Sequence, residues 1–273
     1  MKSSVRPKKS LGQHFLKDLQ IAKRIADTVK DCRLPVLEVG PGTGVLTQFL
    51  LETHADLTVV ELDKESVVYL KEHFLSLSGK IIEEDFLKLD LSKLYTGSFC
   101  VIGNYPYNIS SQIFFKVLDY RDQIPCCAGM IQKEVAERIA SKPGKKAFGI
   151  ISVLLQAWYD IEYLFTVSEQ VFDPPPKVKS AVIRLTRNHR VSLDCDEKLF
   201  KTVVKTAFNQ RRKTLRNSLK PLLGKDCEMY SLPIFDKRPE QLSVEEFIDL
   251  TKLAATLEER KTGLKPATLS LEG

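Results

Sequence analysis

Five short aliphatic segments alternate with amphipathic segments between residues 36 and 140, and this alternation constrains the fold more than any other feature. Aliphatic runs of this length favour strands, whereas apolar residues at helical spacing favour helices. The order predicts an α/β fold with a mostly parallel, doubly wound, Rossmann-like sheet. The predicted strands are Val36–Val39, Leu57–Glu61, Lys80–Glu83, Phe99–Ile102 and Cys127–Ile131, and the predicted helices are Val45–Glu52, Lys64–Phe74, Ser110–Leu118 and Lys133–Ala140.

Further elements are predicted on either side of this core. Asp18 precedes apolar residues at helical spacing and is expected to cap a helix. Beyond a loop at Ser141–Gly144, a helix is predicted at Ile150–Trp158, and strands are predicted at Ile161–Val167 and Ser180–Leu185.

The alternation stops after residue 186, and the remaining chain is predicted to be helical. We therefore expect two domains, a large one at residues 1–186 and a small helical one at residues 187–273. Ser243 and Glu246 have the spacing of a capping box before an apolar series, which predicts the start of the last helix. From about Glu258 the tail is polar and is expected to fray.

The composition excludes disorder, because 43% of the residues are hydrophobic and 28% are charged. The basic first residues are followed by no apolar signal-peptide core, and no stretch is long and uncharged enough to span a bilayer. We therefore expect a cytoplasmic protein. The six cysteines show no C-x-x-C spacing, so reduced thiols are expected rather than disulfides or a metal site.

Positive charge is concentrated in one segment of a chain whose net charge is +6. The segment Lys198–Lys220 contains eight basic residues and no acidic one. This pattern favours a polyanionic partner such as RNA, although a solvated helix face has the same composition. The residues expected to contact phosphates are Arg211, Arg212, Lys213 and Arg216.

A glycine-rich loop follows the first predicted strand. Gly40, Gly42 and Gly44 alternate with other residues between strand and helix, where missing Cβ atoms let a ligand approach the backbone. The spacing differs from the G-x-G-x-x-G of pyrophosphate-binding loops and suits a cofactor with an amino-acid tail and a ribose. Glu38 either anchors this loop or contacts the amine of that tail, and a structural role is the first expectation.

Carboxylates follow the next two predicted strands. Glu61 is placed to accept hydrogen bonds from both ribose hydroxyls, and Asp85 to accept one from an adenine amine, with Leu62 and Phe86 as walls. Both NAD and S-adenosylmethionine have such a ribose. None of the four histidines lies in a strand-end motif, which weakens an oxidoreductase interpretation.

A second loop, Asn104–Tyr107, follows the fourth predicted strand. The Asn104 side-chain oxygen and the Tyr105 carbonyl can accept both hydrogens of an exocyclic adenine amine, while Pro106 stiffens the turn. Tyr107 is expected to stack on the base, and Phe172 to cover another face. Asn104 is also expected to contact the cofactor. Such an amine is accessible only in an unpaired or flipped-out base, which indicates single-stranded or loop RNA.

These motifs resemble the small-subunit rRNA adenine dimethyltransferases of the KsgA type over nearly the whole chain. Leu11–Leu16 is similar to the amino-terminal signature of the family, and Asn104–Ser110 to its catalytic stretch. Val171–Ser180 resembles the motif that follows catalysis, whereas Phe208–Asn217 and Glu240–Ser243 resemble the helical carboxyl domain. Two positions depart from the usual family residues, because His14 replaces Asn and Tyr105 replaces Leu.

The resemblance implies a specific activity and partner. His14 and Leu16 would contact the cofactor S-adenosylmethionine, which leaves as S-adenosylhomocysteine, and no metal would take part. Four methyl groups would be transferred to two adjacent adenosines near the 3′ end of 16S rRNA, in an immature small ribosomal subunit. The enzyme would act as a monomer, away from membranes, and contribute to subunit biogenesis.

Two other functions share parts of these motifs. An antibiotic-resistance methyltransferase acting on large-subunit rRNA has the same catalytic loop, but the carboxyl-domain segments argue against it. An RNA-binding assembly factor that retains the fold is the alternative outside enzymes. The intact motif residues argue for chemistry: Gly40, Gly42, Glu61, Asp85, Asn104 and Tyr107.

Overall fold

The computed structural model describes residues 5–262 and contains nine strands and eleven α-helices within that range. The strands are β1 (Phe15–Leu16), β2 (Val36–Val39), β3 (Leu57–Glu61), β4 (Ile81–Glu83), β5 (Cys100–Asn104), β6 (Cys126–Gln132), β7 (Tyr159–Val167), β8 (Phe172–Asp173) and β9 (Ser180–Arg187). The helices are α1 (Leu19–Ala26), α2 (Thr47–Thr53), α3 (Lys64–His73), α4 (Leu91–Leu94), α5 (Ser110–Asp119), α6 (Lys133–Ile139), α7 (Ile150–Gln156), α8 (Glu197–Asn209), α9 (Leu215–Ser218), α10 (Lys220–Leu223) and α11 (Val244–Thr262).

The main sheet has seven strands in the order β4-β3-β2-β5-β6-β9-β7. The first five strands are parallel, which confirms the predicted α/β fold, whereas β9 pairs antiparallel with both β6 and β7. The chain runs outward from β2 to β4 and then returns to β5 on the other side of β2. This reversal is the switch point at which α/β sheets bind ligands.

The described residues form two compact units, one of residues 5–140 and 158–188, the other of residues 141–157 and 189–262. The second unit is helical and also includes α7. The sequence-based boundary at residue 186 does not anticipate this, because α7 packs on α8, which is distant in sequence. Phe208 of α8 and Phe247 of α11 stack with ring centroids 5.9 Å apart in the core of this unit.

Local signals locate helix starts accurately. The Asp18 carboxylate accepts hydrogen bonds from the backbone N–H groups of Gln20 and Ile21 at the start of α1. Ser243 and Glu246 form the predicted reciprocal capping box. Helix α11 continues to Thr262, and the rest of the tail lies outside the described residues, so fraying from Glu258 stays an expectation.

The structure joins Cys32 to Cys100 as a disulfide, so the expectation of reduced thiols is wrong for this pair. Their Cα atoms lie 7.4 Å apart, which is wider than the usual range of about 4.4–6.8 Å. The two residues are 68 positions apart, and no motif marks their approach. Four other cysteines are free: Cys126, Cys127, Cys195 and Cys227.

Two kinds of feature are absent from the described residues. No helix among residues 5–262 combines the length and apolar character needed to cross a membrane. Within the same range, no group of three or more His, Cys, Asp or Glu side chains is arranged to hold a metal ion.

The loop after β5 is anchored by a buried tyrosine. The Tyr105 side chain is 1% exposed, and its hydroxyl donates a hydrogen bond to the Ala128 carbonyl at 2.8 Å. Its ring lies against Gly103 of β5 and Gly129 of β6, where any Cβ atom would collide with it. Two glycines on neighbouring strands therefore make the space that holds the start of the loop.

We predict that Gly129→Ala destabilises the protein by about 1–3 kcal/mol, because a Cβ atom there overpacks the core. It would lie 2.6 Å from the Gly103 carbonyl oxygen and still closer to the Tyr105 ring. Urea denaturation measures the effect. The matched control is Gly97→Ala, whose Cβ meets nothing within 4 Å. Equal stability of the two variants would contradict this packing account.

Candidate active site

A cleft lies in the first unit at the carboxyl ends of β2, β3, β4 and β5. It is lined by the segment before β1, the glycine-rich loop, the residues that follow β3 and β4, and the loop after β5. Most of the predicted site residues line it: His14, Leu16, Gly40, Gly42, Glu61, Leu62, Asp85, Phe86, Asn104, Tyr105, Pro106 and Tyr107. Gly44 and Phe172 do not.

The glycine-rich loop has left-handed backbone at each glycine. Gly42 has φ +56°, and its missing Cβ leaves room for the Phe15 ring, 3.3 Å from the position a Cβ would take. Gly44 has φ +78° and packs on the ring of Phe74, just beyond α3. Gly44 therefore packs against Phe74 and does not line the cleft, and its contact with the cofactor stays a prediction.

Glu61 joins the glycine-rich loop to the end of β3. One carboxylate oxygen accepts the Gly42 N–H and the other accepts the Asp63 N–H, both at 2.9 Å. Burial raises the pKa of Glu61, while these backbone hydrogen bonds act in the opposite direction. Because each carboxylate oxygen can accept more than one hydrogen bond, Glu61 is oriented by protein donors and can still bind hydroxyl groups.

Glu38 lies in the middle of the site and is 1% exposed. Its Oε2 accepts a hydrogen bond from the Thr47 hydroxyl of α2 at 2.7 Å. Burial raises the pKa of Glu38 to about 8, and the nearby Glu61 contributes in the same direction. Glu38 therefore anchors α2 through Thr47 and also lies in the wall of the cleft.

The turn after β4 supplies a further acceptor. Asp85 Oδ1 accepts the Leu87 N–H at 2.9 Å, and Asp85 Oδ2 has no hydrogen-bond partner among the described residues. Phe86 is 4% exposed beneath the cleft, whereas Leu62 is 51% exposed. The cleft therefore has a free carboxylate oxygen between one buried and one exposed apolar side chain.

The loop after β5 presents Asn104 and Tyr107 to the cleft. Asn104 Nδ2 lies 3.4 Å from the His14 carbonyl oxygen and donates to it, which leaves the side-chain oxygen as an acceptor. The Tyr107 hydroxyl is hydrogen-bonded to Ser180 Oγ, and burial raises its pKa. The His14 ring lies 5.2 Å from the Tyr107 ring, and His14 Nδ1 lies 2.9 Å from the Pro174 carbonyl oxygen.

Phe172 is 1% exposed and belongs to β8, where it pairs with Leu16 of β1 in a short antiparallel sheet. It is not accessible to a ligand in this conformation, and its contact with a base stays a prediction. The sequence could not reveal this burial, because β1 and β8 are brought together by tertiary structure.

Sequence analysis missed a contact that holds the amino-terminal segment over the site. Lys8 Nζ forms ion pairs with Asp63 and with Glu65, the second at 3.0 Å. Asp63 is also the residue whose N–H binds Glu61. No local pattern marks Lys8, because its partners follow β3 in the sequence.

The predicted RNA-contact residues lie in the second unit and fall into two groups. Arg211 donates a hydrogen bond to the Lys146 carbonyl, and Arg216 Nη2 pairs with Asp236 at 2.5 Å. Arg212 and Lys213 are exposed and have no ion-pair partner among the described residues. The bond from Arg211 places a second basic loop beside them, with exposed lysines that sequence analysis passed over: Lys142, Lys145 and Lys146.

We predict that Glu38→Gln changes the pH dependence of stability. Because folding raises the pKa of Glu38 from 4.5 to about 8, its stabilising contribution is full below pH 4.5 and is lost as pH rises through 8. Without cofactor, the unfolding free energy of the wild type, taken relative to Glu38→Gln, should fall between pH 5 and 8 by on the order of 1 kcal/mol per unit.

Urea titrations at several pH values measure this difference. Glu52→Gln, at an exposed glutamate of α2, is the matched control and should reproduce the wild-type pH dependence. Parallel curves for wild type and Glu38→Gln would show that the Glu38 carboxyl does not titrate in this range.

Comparison with known proteins places the chain in a family. The family model described as ribosomal RNA adenine dimethylase matches residues 5–256. A relative named ribosomal RNA small subunit methyltransferase A from Parabacteroides distasonis is 75% identical, over 95% of this chain and 98% of its own length. A relative of the same name from Bacteroides thetaiotaomicron is 66% identical, over 97% of this chain and 98% of its own.

Solved structures agree in fold. A dimethyladenosine transferase from Plasmodium falciparum has a TM-score of 0.73 and 24% identity, covering 92% of this chain and 98% of its own. The 23S rRNA methyltransferase ErmE has a TM-score of 0.64 and 26% identity, covering 86% of this chain and 99% of its own. With a family model that matches nearly its whole length, the chain belongs to the ribosomal RNA adenine dimethylase family.

Proposed function

We propose that this protein transfers methyl groups from S-adenosylmethionine to the exocyclic amines of two adjacent adenosines near the 3′ end of 16S rRNA. The observation that carries the proposal is the meeting of two sets of acceptors in one cleft. Glu61 and Asp85 suit an adenosine-containing cofactor, and Asn104 and Tyr105 suit the amine of a second adenine. Membership of the ribosomal RNA adenine dimethylase family supports the same activity.

The cofactor is held at the strand ends. Glu61 accepts the ribose hydroxyl hydrogens on lone pairs that Gly42 and Asp63 leave free. Asp85 Oδ2 accepts a hydrogen bond from the adenine amine, and Leu62 and Phe86 cover the ring. The backbone at Gly40, Gly42, His14 and Leu16 surrounds the amino-acid tail, and the Glu38 carboxyl offers a hydrogen-bond acceptor to its ammonium group. The cleft is lined by all of these residues.

The loop after β5 prepares the target nitrogen. Asn104 Oδ1 and the Tyr105 carbonyl each accept one amine hydrogen, which draws the nitrogen out of conjugation with the ring. When bound, S-adenosylmethionine supplies an electrophilic methyl group on a sulfonium. The nitrogen held by Asn104 and the Tyr105 carbonyl would accept that methyl group, and its proton would leave to water. Alignment and exclusion of solvent provide the rate without a strong general base.

Aromatic side chains hold the base. Tyr107 is tethered by Ser180 and flanked by His14, so its ring is positioned before the substrate arrives. Stacking of this kind contributes roughly 1–3 kcal/mol per base. Phe172 is buried in the free protein, so its contribution to stacking requires that the β8 segment shifts when RNA binds.

Basic residues of the second unit bind the RNA backbone. Exposed Arg212 and Lys213 contact phosphates directly, and the loop Lys142–Lys146 extends this surface. Arg211 holds the two basic segments together by donating a hydrogen bond to the Lys146 carbonyl. Arg216 is already paired with Asp236 and contributes less. The protein acts as a monomer in the cytoplasm on an immature small subunit, and its docking contributes to subunit biogenesis.

The proposal is tested by incubating the protein with labelled S-adenosylmethionine and unmethylated small subunits, with large subunits and duplex DNA as parallel acceptors. Dimethyladenosine in small-subunit RNA alone is the expected product. Label in large-subunit RNA would instead favour methylation of 23S rRNA, which is the activity named for ErmE. Tight subunit binding without label would indicate an assembly factor.

We predict that Asn104→Ala lowers the rate of methyl transfer by on the order of 10²–10³-fold, because one of the two acceptors for the amine is lost. Affinity for small subunits should be unchanged, since the RNA backbone is bound elsewhere. Single-turnover transfer and subunit binding are measured on the same preparation. Gln112→Ala, at an exposed residue of α5, is the control. Loss of binding by a folded Asn104→Ala protein would refute this separation of roles.

We predict that replacing Arg212 and Lys213 together by Gln weakens RNA binding and flattens its salt dependence. The slope of log K against log salt should fall in magnitude by about 1–2, because two phosphate contacts are removed. The control replaces Lys64 and Lys71, two exposed lysines of α3, with the same change in charge. If both double variants keep the wild-type slope, Arg212 and Lys213 do not contact phosphates.

A further inference from the structure

The turn that carries Asp85 is a closed unit of five residues, Asp85–Leu89. The Asp85 carboxylate accepts the Leu87 N–H, and the Asp85 carbonyl accepts the N–H groups of Lys88 and Leu89 at 2.9 and 3.1 Å. Asp85 thus closes the amino-terminal end of the turn. The carbonyl groups of Leu87 and Leu89 point out of the other end and need a donor.

Lys116 of α5 supplies that donor. Its Nζ donates hydrogen bonds to the Leu87 carbonyl at 3.1 Å and to the Leu89 carbonyl. The same ammonium lies 5.4 Å from the centre of the Phe86 ring, within the range of a cation–π contact. A hydrogen bond from a charged donor is stronger than one between neutral groups, so Lys116 stabilises this turn.

The surroundings keep Lys116 in this position. Burial lowers the pKa of Lys116, and the carboxylates that face it from both elements act in the opposite direction: Glu84, Asp85, Asp90 and Asp119. The Tyr120 ring lies 5.7 Å from the ammonium and donates its own hydroxyl to Asp90. Helix α5 begins at Ser110, directly after the loop that holds Asn104, so one rigid element touches both the target-base loop and the Asp85 turn.

We infer that Lys116 is a positioning residue for adenine recognition, which holds Asp85 in place for the amine of the cofactor without touching the cofactor itself. The inference rests on the proposed function, in which Asp85 binds that amine. Lys116 does not line the cleft, and it donates hydrogen bonds to the carbonyl groups of Leu87 and Leu89 in the turn that Asp85 begins. Loss of the Lys116 ammonium therefore weakens recognition of the adenine amine more than it weakens binding of the rest of the cofactor.

The test compares two ligands that differ at one edge of the purine. S-adenosylhomocysteine has the exocyclic amine, and S-inosylhomocysteine has a carbonyl oxygen in its place and a hydrogen on N1. Calorimetry gives the dissociation constant of each for wild type, Lys116→Met and Lys116→Arg. We expect Lys116→Met to weaken S-adenosylhomocysteine binding by about 5- to 10-fold, the equivalent of one hydrogen bond, with little change for S-inosylhomocysteine. Lys116→Arg should restore most of the preference.

A double-variant cycle with Asp85→Ala separates positioning from general stability. If Lys116 acts through Asp85, Lys116→Met has no further effect on S-adenosylhomocysteine affinity in the Asp85→Ala background. Additive losses, or an equal loss for both ligands, would overturn the inference. Lys71→Met, at an exposed lysine of α3, is the control and should match wild type.

Failure of the proposed function and failure of the role of Lys116 give different binding results. A wild-type protein that binds neither ligand would refute the cofactor part of the proposed function. A wild-type protein that prefers S-adenosylhomocysteine, together with a Lys116→Met variant that keeps the full preference, would refute the role of Lys116 alone.

Discussion

The parallel pairing of β2 with both β3 and β5 is the constraint on which the site depends. Val39 is level with Val60, and Glu38 is level with Ile102, so the chain leaves all three strands at the same edge of the sheet. Loops that are far apart in sequence then face one cleft. Glu61 fixes two of them together, because its buried carboxylate binds the N–H groups of Gly42 and Asp63.

Sequence reasoning reached this arrangement because the relevant signals are local. The bounds predicted for the strands Val36–Val39 and Leu57–Glu61 are those of β2 and β3. A strand of β-branched and aliphatic residues followed by Gly40 or by an acidic residue is a short pattern, and strand ends of a parallel sheet converge without further information. For this reason the sequence predicts that Glu61, Asp85 and Asn104 lie close together, and all three line one cleft.

What the sequence could not supply depends on contacts between distant segments. The burial of Phe172 follows from pairing of β8 with β1, and the packing of Gly44 follows from the position of Phe74. Lys8 is held in place by its ion pair with Asp63. Arg211 is partly occupied by its hydrogen bond to the Lys146 carbonyl. A sequence shows which side chains are charged or aromatic. It does not show which of them already bind other groups of the same protein.

A structure of the complex with S-adenosylhomocysteine would show whether one cleft holds the cofactor and the target base in reacting positions. We expect the ribose hydroxyls on Glu61, the adenine amine on Asp85, and the sulfur atom facing Asn104 and Tyr107. A ligand bound elsewhere, or one whose sulfur faces away from Asn104, would refute this arrangement.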